Sequence, residues 1–285
     1  MLSRQSSGSV VCPSCGRLVG VRQDACPHCG RRNPGLWGFA GALRKLDLEQ
    51  VATQLIVWGC VVLFVLSLAL QPAAISLGGG LFGLLSPGRE ALFRLGASGA
   101  LPVVGAGRWW TVLTAGWLHG GLLHIFFNMM WVRQLGPATT HLYGPGRMLL
   151  IYLVSSVVGF LASSFGGAYL QPLAFVMGGS PYAITVGASA AIFGLLGAMV
   201  YAGRRGVGSH LGRQAWGYAI ALFVFGLIVP GVDNWAHLGG FVGGFGLGRL
   251  LNPMQPEKLD HTVAAAALLL ATLAAIGLSL VVGIR

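Results

Sequence analysis

Apolar residues dominate long stretches of the chain, and the charged residues between them are few. No Asp, Glu, Lys or Arg occurs in five segments, which are 50–88, 109–132, 148–203, 214–232 and 262–284. An α-helix needs about 20 predominantly apolar residues to cross the hydrocarbon core of a bilayer. Each segment is therefore long enough for one crossing, and 148–203 is long enough for two. In residues 234–248 the only ionisable group is His237.

This pattern predicts seven transmembrane helices. The predicted spans are 51–70, 117–135, 148–165, 188–203, 214–230, 234–251 and 262–284. The fourth span is short, because Pro181 and the glycines of 178–187 disfavour helix before Ala188. Irregular backbone at membrane depth is tolerated where it lines water or is buried in protein. The short fourth span therefore predicts a submerged aqueous cavity.

The composition agrees with a membrane protein. Of 285 residues, 55% are hydrophobic and 9% charged, whereas a soluble domain carries about 25% charged residues. The net charge of +11 could indicate nucleic-acid binding, but cytoplasmic loops of membrane proteins also collect Lys and Arg. With the N-terminus in the cytoplasm, all but four of the 18 Lys and Arg residues face inward. The four outward residues are Arg89, Arg94, Arg108 and Arg285.

The expected protein is thus multi-pass, with a cytoplasmic N-terminus, an external C-terminus and no nucleic-acid partner. Its first apolar run begins after about 50 residues, which argues against a cleavable signal peptide. Arg outnumbers Lys 16 to 2. Together with the many Gly and Ala residues, this ratio favours a GC-rich bacterium and hence a plasma membrane.

Four of the five cysteines form two Cys-x-x-Cys pairs, Cys12-Pro-Ser-Cys15 and Cys26-Pro-His-Cys29. Four thiolates make the closed tetrahedral set of a structural zinc site. Iron suits the same ligands and is the alternative metal, and two unrelated redox or disulfide pairs are the other interpretation. A reducing cytoplasm disfavours disulfides. We therefore predict a zinc-ribbon-like knuckle that needs its metal to fold. Cys60 lies alone in the first span, and we expect its side chain only to pack against neighbouring helices.

A few polar side chains lie at the predicted membrane depth, and each is a candidate for function because its burial there is costly. His124 and Asn128, four residues apart, share one face of the second span, and His119 is predicted to point elsewhere. Ser189 opens the fourth span, and His237 lies early in the sixth. With a rise of about 1.5 Å per residue, His124, Asn128, Ser189 and His237 fall in one layer in the outer half of the bilayer.

Small residues allow the fourth and sixth spans to approach closely. They recur every four positions, as Ala190, Gly194 and Ala198 on one span and Gly240, Gly244 and Gly248 on the other.

A serine beside a histidine in a wet cavity is the minimum for nucleophilic acyl transfer. His237 would take the proton from Ser189 and later give it to the leaving amine. His124 and Asn128, with the N–H at the start of the fourth helix, could donate to a developing oxyanion. For Asp233, helix capping is favoured over orienting His237.

These motifs resemble those of rhomboid intramembrane serine proteases, and the resemblance covers residues 50–285. The motifs are His119-Gly-Gly-Leu-Leu-His124-Ile-Phe-Phe-Asn128, Gly187-Ala-Ser189-Ala-Ala-Ile-Phe193-Gly194 and Ala236-His237-Leu-Gly239-Gly240. The resemblance implies that Ser189 is the nucleophile and His237 its base. It also implies that His124 and Asn128 help form the oxyanion site, that Phe193 stacks on His237, and that catalysis needs no cofactor.

The chain departs from the family pattern at a few positions. Ala190 follows Ser189 where the family usually has Gly, and the Trp-Arg pair of the first external loop reads Arg108-Trp109-Trp110. The Glu that usually follows the second span is missing from 135–141. These departures concern stability and loop placement more than the chemistry.

The predicted fold is an all-α polytopic membrane protein with a rhomboid-like six-helix core, a seventh C-terminal transmembrane helix and a small N-terminal metal knuckle. Its parts are a cytoplasmic zinc-ribbon-like knuckle (1–35), a linker (36–50), the core (51–252), and a cytoplasmic linker with the seventh helix (253–285).

The expected activity is that of a serine endopeptidase that cleaves single-pass membrane proteins near the outer face of the bilayer. The knuckle is a candidate site for a cytoplasmic protein partner. The alternative function, which the resemblance implies through the derlin-like relatives of the family, is a non-catalytic membrane-helix binding or dislocation factor. Loss of Ser189 or His237 would have favoured that alternative, and both are present. A third interpretation is a transporter. It would require a polar site near the bilayer centre and internal repeats, whereas the polar layer is predicted in the outer half and the sequence shows no internal repeat.

Overall fold

A computed structural model describes residues 3–41, 48–76 and 83–283 of the chain. Residues 42–47 of the predicted linker lie outside the described residues, as does Arg285. The described part is mostly helical, with one β-hairpin near the N-terminus. The predicted fold, a helical membrane domain preceded by a small cysteine knuckle, is confirmed.

The hairpin pairs β1 (Ser9–Val11) with β2 (Leu18–Gly20) in antiparallel register. The described ranges then contain ten α-helices, which are α1 (Leu48–Leu70), α2 (Arg89–Leu95), α3 (Thr111–Thr114), α4 (Leu122–Tyr143), α5 (Pro145–Tyr169), α6 (Gln171–Met177), α7 (Ser189–Arg204), α8 (Ser209–Ile228), α9 (Asn234–Leu250) and α10 (Leu259–Gly283). Residues 89–117, which include α2, α3 and a wide helical turn at Ala100–Gly105, are called the connecting segment below.

Seven helices coincide with the seven predicted spans, namely α1, α4, α5 and α7 to α10. Among the described helices, four are long and apolar enough to cross a membrane, namely Gln50–Leu70, Pro145–Tyr169, Ser209–Ile228 and Leu259–Gly283. The apolar helix Ser189–Arg204 is shorter, as predicted from its late start. The remaining two, α4 and α9, are continuous helices that are less apolar, because they contain the polar and glycine residues of the candidate chemistry.

The second span differs from its predicted bounds of 117–135. Helix α4 begins at Leu122, because the chain is still extended at Gly121, and it continues past Pro137 to Tyr143. A proline inside a membrane helix is tolerated when neighbouring helices cover the freed carbonyl. His124 and Asn128 therefore lie in the first two turns of α4.

Helix α7 lies at the centre of the helical domain. It packs most extensively against α9 and also contacts α4, α5 and α8, and its residues are buried from Ala190 to Val200. A Cβ added to Gly240 would collide with the backbone of Ala190, and one added to Gly244 with the backbone of Gly194. The predicted close approach of these small-residue faces is therefore present, with backbone against backbone.

Arg147, buried near the start of α5, holds the link between α9 and α10. Its guanidinium donates to the carbonyls of Gln255 at 2.8 Å and Pro256 at 2.7 Å, and its backbone N–H donates to Glu257 at 2.7 Å. Buried charged groups require such partners. The link is thus fixed to the core of the helical domain.

The knuckle has a small core of its own, built on the hairpin. The buried members are Val10, Cys12, Val19, Val21, Cys26 and Ala40. Leu36 packs against them, and Gln5 N–H donates to the carbonyl of Gly38 at 2.9 Å. Leu36 and Ala40, which follow the second cysteine pair, therefore pack with the knuckle.

Candidate active site and metal knuckle

Ser189 is the first residue of α7 and follows a close approach of the chain to α4. Gly187 has a φ of +131°, and a Cβ there would lie 2.7 Å from Nε2 of His124. Glycine avoids both the strain and the clash. The N–H of Gly187 donates to the carbonyl of Ala115 at 3.0 Å, which fixes the entry into α7. Ser189 itself is half-buried, in contrast to the buried residues that follow it, so α7 faces accessible space at Ser189.

His237 lies in the first turn of α9 and is 6% exposed. Its ring stacks on Phe193 with a centroid separation of 4.2 Å and an interplanar angle of 13°, which confirms the predicted stacking. Phe193 is one turn after Ser189 on α7, and Gly240 packs on Ala190. These contacts pack the first two turns of α9 against the first two turns of α7, which are the helix ends that carry His237 and Ser189.

Asn234 is a site residue that the sequence interpretation missed. Its side-chain oxygen lies 3.0 Å from Nδ1 of His237. An amide oxygen only accepts hydrogen bonds, so this arrangement places the ring proton of a neutral His237 on Nδ1 and leaves Nε2 as an acceptor. A signal was present in the sequence, since residues three apart share a helix face.

His124, the third residue of α4, is held in the opposite tautomer. The N–H of Gly120 donates to Nδ1 of His124 at 3.2 Å, so the ring proton lies on Nε2. Nε2 lies over the backbone of Gly187, two residues before Ser189. Asn128, one turn further along α4, donates one amide hydrogen to the carbonyl of His124 at 2.8 Å. The second amide hydrogen is left for another acceptor.

The position of His119 contradicts the prediction that its side chain points away from His124. The two rings meet edge to face, with centroids 5.2 Å apart, and His119 is 0% exposed. The helix begins only at Leu122, so helical spacing does not apply to His119, and the turn at Gly120 folds it back onto His124. Neither ring nitrogen of His119 has a hydrogen-bond partner among the described residues.

Asp233 is the N-cap of α9, as predicted. Its carboxylate accepts a hydrogen bond from the N–H of Ala236 at 3.0 Å and another from the hydroxyl of Ser163. Capping of this kind satisfies a helix N–H that has no acceptor within the helix. Asn234, rather than Asp233, contacts the ring of His237.

The site therefore combines a half-buried serine, a histidine whose Nε2 is left as an acceptor, and two side-chain donors on α4. The first N–H groups of α7 have no acceptors within the helix and add backbone donors at the same place. A nucleophile, a base and donors for an oxyanion are the groups that acyl transfer requires.

The four cysteines of the two pairs lie together, as the sequence predicts. Their Sγ atoms are all within 4.8 Å of one another, with Cys12 and Cys29 3.8 Å apart and Cys15 and Cys26 3.7 Å apart. A tetrahedral zinc with Zn–S bonds of about 2.3 Å requires sulfur atoms about 3.8 Å apart. The four side chains therefore fit a tetrahedral metal ion.

Cys26 is a thiol of this cluster whose pKa lies below its ordinary value. Burial alone would raise the pKa of Cys26, but hydrogen bonds from the backbone N–H groups of His28 and Cys29 lower that pKa to about 7. The thiolate is the form that binds metal.

The helical domain is similar in sequence to known proteins of one family. Residues 106–254, just over half of the chain, match the family model of the Rhomboid domain. The chain is 34% identical over 189 residues to the rhomboid protease GluP of Bacillus subtilis (strain 168), a match that covers 65% of this chain and 34% of GluP. It is 37% identical over 176 residues to RHOMBOID-like protein 7 of Arabidopsis thaliana, covering 59% of this chain and 51% of that protein. The chain thus spans between a third and a half of the length of these relatives.

Proposed function

The chain belongs to the rhomboid family, and from this premise we propose that it is an intramembrane serine endopeptidase. Ser189 is the proposed nucleophile and His237 the base that activates it. His124 and Asn128 are the proposed side-chain donors to the oxyanion. The substrates are single-pass membrane proteins, cleaved in or beside the membrane segment near the outer face of the bilayer.

In the first half of the reaction, Nε2 of His237 takes the proton from Oγ of Ser189 as that oxygen attacks the carbonyl carbon of the scissile bond. Negative charge develops on the carbonyl oxygen. The Nε2–H of His124, an amide hydrogen of Asn128 and the N–H of Ser189 stabilise this charge. The protonated His237 then gives its proton to the leaving amine, and an acyl ester remains on Ser189.

In the second half, water attacks the ester carbonyl while Nε2 of His237 accepts its proton. The tetrahedral intermediate breaks down, the proton passes to Oγ of Ser189, and the carboxylic acid product leaves. Asn234 holds the proton on Nδ1 through both halves, so that Nε2 alone exchanges protons with the reacting groups.

Substrate geometry sets a further condition. The carbonyls of a membrane helix accept hydrogen bonds within that helix, so the segment must unwind locally before Ser189 can attack. Helix-weakening Gly or Pro residues near the cleavage site would favour this unwinding.

The protein is a multi-pass membrane protein, as its family and its apolar helices indicate. Its proposed location is a bacterial plasma membrane, with the N-terminus cytoplasmic and the C-terminus external. The proposed ion of the knuckle is a structural zinc bound by the four thiolates, which would hold the two Cys-x-x-Cys turns together. The knuckle, linker, core and seventh helix are proposed as separate parts of the chain.

One observation carries the proposal. The ring of His237 stacks on Phe193, one turn after Ser189 on α7, and Asn234 holds its Nδ1, which leaves Nε2 as an acceptor. This arrangement supports the role of His237 as the base.

The test is cleavage of a single-pass reporter, whose membrane segment is weakened by Gly or Pro, by the full chain in liposomes. Ser189→Ala should lower the rate by at least about 10⁴-fold. The matched control is Ser209→Ala, because Ser209 is also the first residue of its helix but is exposed. Equal cleavage by both variants would refute the serine mechanism. If a panel of reporters stays intact and a fluorophosphonate does not label Ser189, the helix-binding alternative replaces the enzyme.

A further inference from the structure

Helix α10 is attached at its beginning to the knuckle. The N–H of Leu259, the first residue of α10, donates to the carbonyl of Pro13 at 3.1 Å. Arg31 donates to Asp260 at 2.9 Å and to the hydroxyl of Ser14 at 2.7 Å. The knuckle therefore caps one of the helix N–H groups that would otherwise lack an acceptor.

The surface that caps α10 is made by both metal-binding turns. Pro13 and Ser14 lie between Cys12 and Cys15, and Arg31 follows the second pair by two residues. The carbonyl of Arg31 also accepts the N–H of Cys26 at 2.8 Å. So small a unit has too little core to fold without its metal. The capping surface is therefore assembled when the four thiolates hold an ion.

The middle of α10 packs against the helical domain through one narrow face. The buried residues of this helix are four small ones, Ala265, Thr272, Ala275 and Ser279. Leu270 and Leu273 are 67% and 65% exposed. Leu268 and Leu269 pack partly buried against the main core, and the contacts at the two ends of α10 add hydrogen bonds to this packing.

The other end of α10 is attached to the connecting segment. Trp110 donates its indole N–H to the hydroxyl of Ser279 at 2.9 Å, and Arg108 donates to the carbonyl of Ser279 at 3.3 Å. The guanidinium of Arg108 also lies over the ring of Phe93 at 4.2 Å. Arg108 is 3% exposed and is held in place by these contacts. The sequence order Arg108-Trp109-Trp110 nevertheless departs from the family pattern.

The connecting segment in turn braces the chain that enters α7. Ser98 and Thr185 exchange backbone hydrogen bonds of 3.1 and 2.8 Å, four residues before Ser189. Gly187 donates to Ala115, as described above. A continuous set of contacts therefore runs from the knuckle along α10 and through the connecting segment to the nucleophile.

We propose that α10 couples metal occupancy of the knuckle to the conformation of the connecting segment, and through it to the site at Ser189. The regulatory consequence for cleavage rests on the proposed function, whereas the structural coupling does not. When the metal leaves, Pro13 and Arg31 release Leu259 and Asp260. The first turn of α10 then frays. The hydrogen bonds that Trp110 and Arg108 donate to Ser279 weaken as a result.

A chain of contacts shows coupling only if a change at one end is measured at the other. The experiment is hydrogen exchange of the full chain in nanodiscs, with zinc bound and after removal by EDTA. We expect severalfold faster exchange at residues 259–262 and also in the connecting segment. Reporter cleavage, measured in the same preparations, should change with the exchange of the connecting segment.

A variant separates coupling from loss of the knuckle fold. Arg31→Gln combined with Asp260→Asn should retain zinc, checked by elemental analysis, yet exchange as fast in the connecting segment as the EDTA-treated wild type and respond no further to EDTA. The control is Arg32→Gln, since Arg32 is exposed and next to Arg31. It should respond as the wild type does.

The outcomes are distinguishable. If EDTA unfolds the knuckle but exchange in the connecting segment does not change, the coupling is refuted, whatever the cleavage rate. If the connecting segment responds to zinc and no reporter is ever cleaved, the coupling holds and the proposed protease function fails.

Discussion

The side-chain oxygen of Asn234 lies 3.0 Å from Nδ1 of His237. This contact selects one of the two neutral tautomers of the ring, the one in which Nε2 accepts a proton. The stacked ring of Phe193 fixes the plane of the same imidazole. Together they hold the proposed base in one orientation and one tautomer.

Replacing Asn234 by Leu should therefore lower kcat and leave KM nearly unchanged. The expected loss is about tenfold to a hundredfold, which corresponds to about 1.4–2.7 kcal/mol of the activation barrier. Asn234→Asp keeps an acceptor at Nδ1 and should restore most of the rate. A loss of equal size in Asn234→Asp and Asn234→Leu would show that the residue only packs.

Replacing His124 by Ala removes the proposed donor over Gly187. Loss of one oxyanion donor costs about 10²–10³ in kcat, and substrate binding should not change. The control is His141→Ala, because His141 lies at the far end of the same helix and is exposed. The comparison needs kcat and KM for both variants with one reporter. An unchanged kcat in His124→Ala would remove His124 from the oxyanion site.

Replacing Gly244 by Ala places a methyl group against the backbone of Gly194, so α7 and α9 must move apart. Overpacking of this kind costs about 1–3 kcal/mol of unfolding free energy. Gly246→Ala, on the same helix, meets no atom within 4 Å and should be neutral or stabilising by up to about 1 kcal/mol. Unfolding of both variants in micelles tests this. A Gly246→Ala variant as unstable as Gly244→Ala would contradict the packing argument.

Purified protein should contain one zinc per chain, since four thiolates complete a tetrahedral structural site. Replacing Cys26 by Ser should abolish the bound metal, because a closed site does not tolerate the loss of a thiolate ligand. Cys60→Ser is the control, since Cys60 is buried in α1 and should not change the metal content. Elemental analysis measures both variants. Iron in place of zinc would correct the identity of the metal but not the site.

The sequence determined the spans and the candidate chemistry. A bilayer requires about 20 apolar residues per crossing, so the segments without Asp, Glu, Lys or Arg coincide with the helices α1, α4, α5 and α7 to α10. The penalty on polar groups at membrane depth left only a few candidates, and Ser189 and His237 were among them. The glycine repeats predicted the close contact of α7 and α9, because in lipid only small residues let backbones touch.

Other features depended on contacts between residues far apart in the sequence. The bond between Arg31 and Asp260 joins positions 229 residues apart, and that between Arg108 and Ser279 joins positions 171 apart. No local period of helix or strand encodes such pairs. The orientation of His119 was predicted wrongly because helical spacing was applied to a residue that precedes the start of α4 at Leu122.

The sequence by itself thus determined which segments cross the membrane and which residues could act, since both follow from the local cost of placing polar groups in lipid. Only the tertiary structure decided which ring nitrogens carry protons, where α4 starts and where the knuckle rests. Each of these is set by a partner that folding brings from another part of the chain.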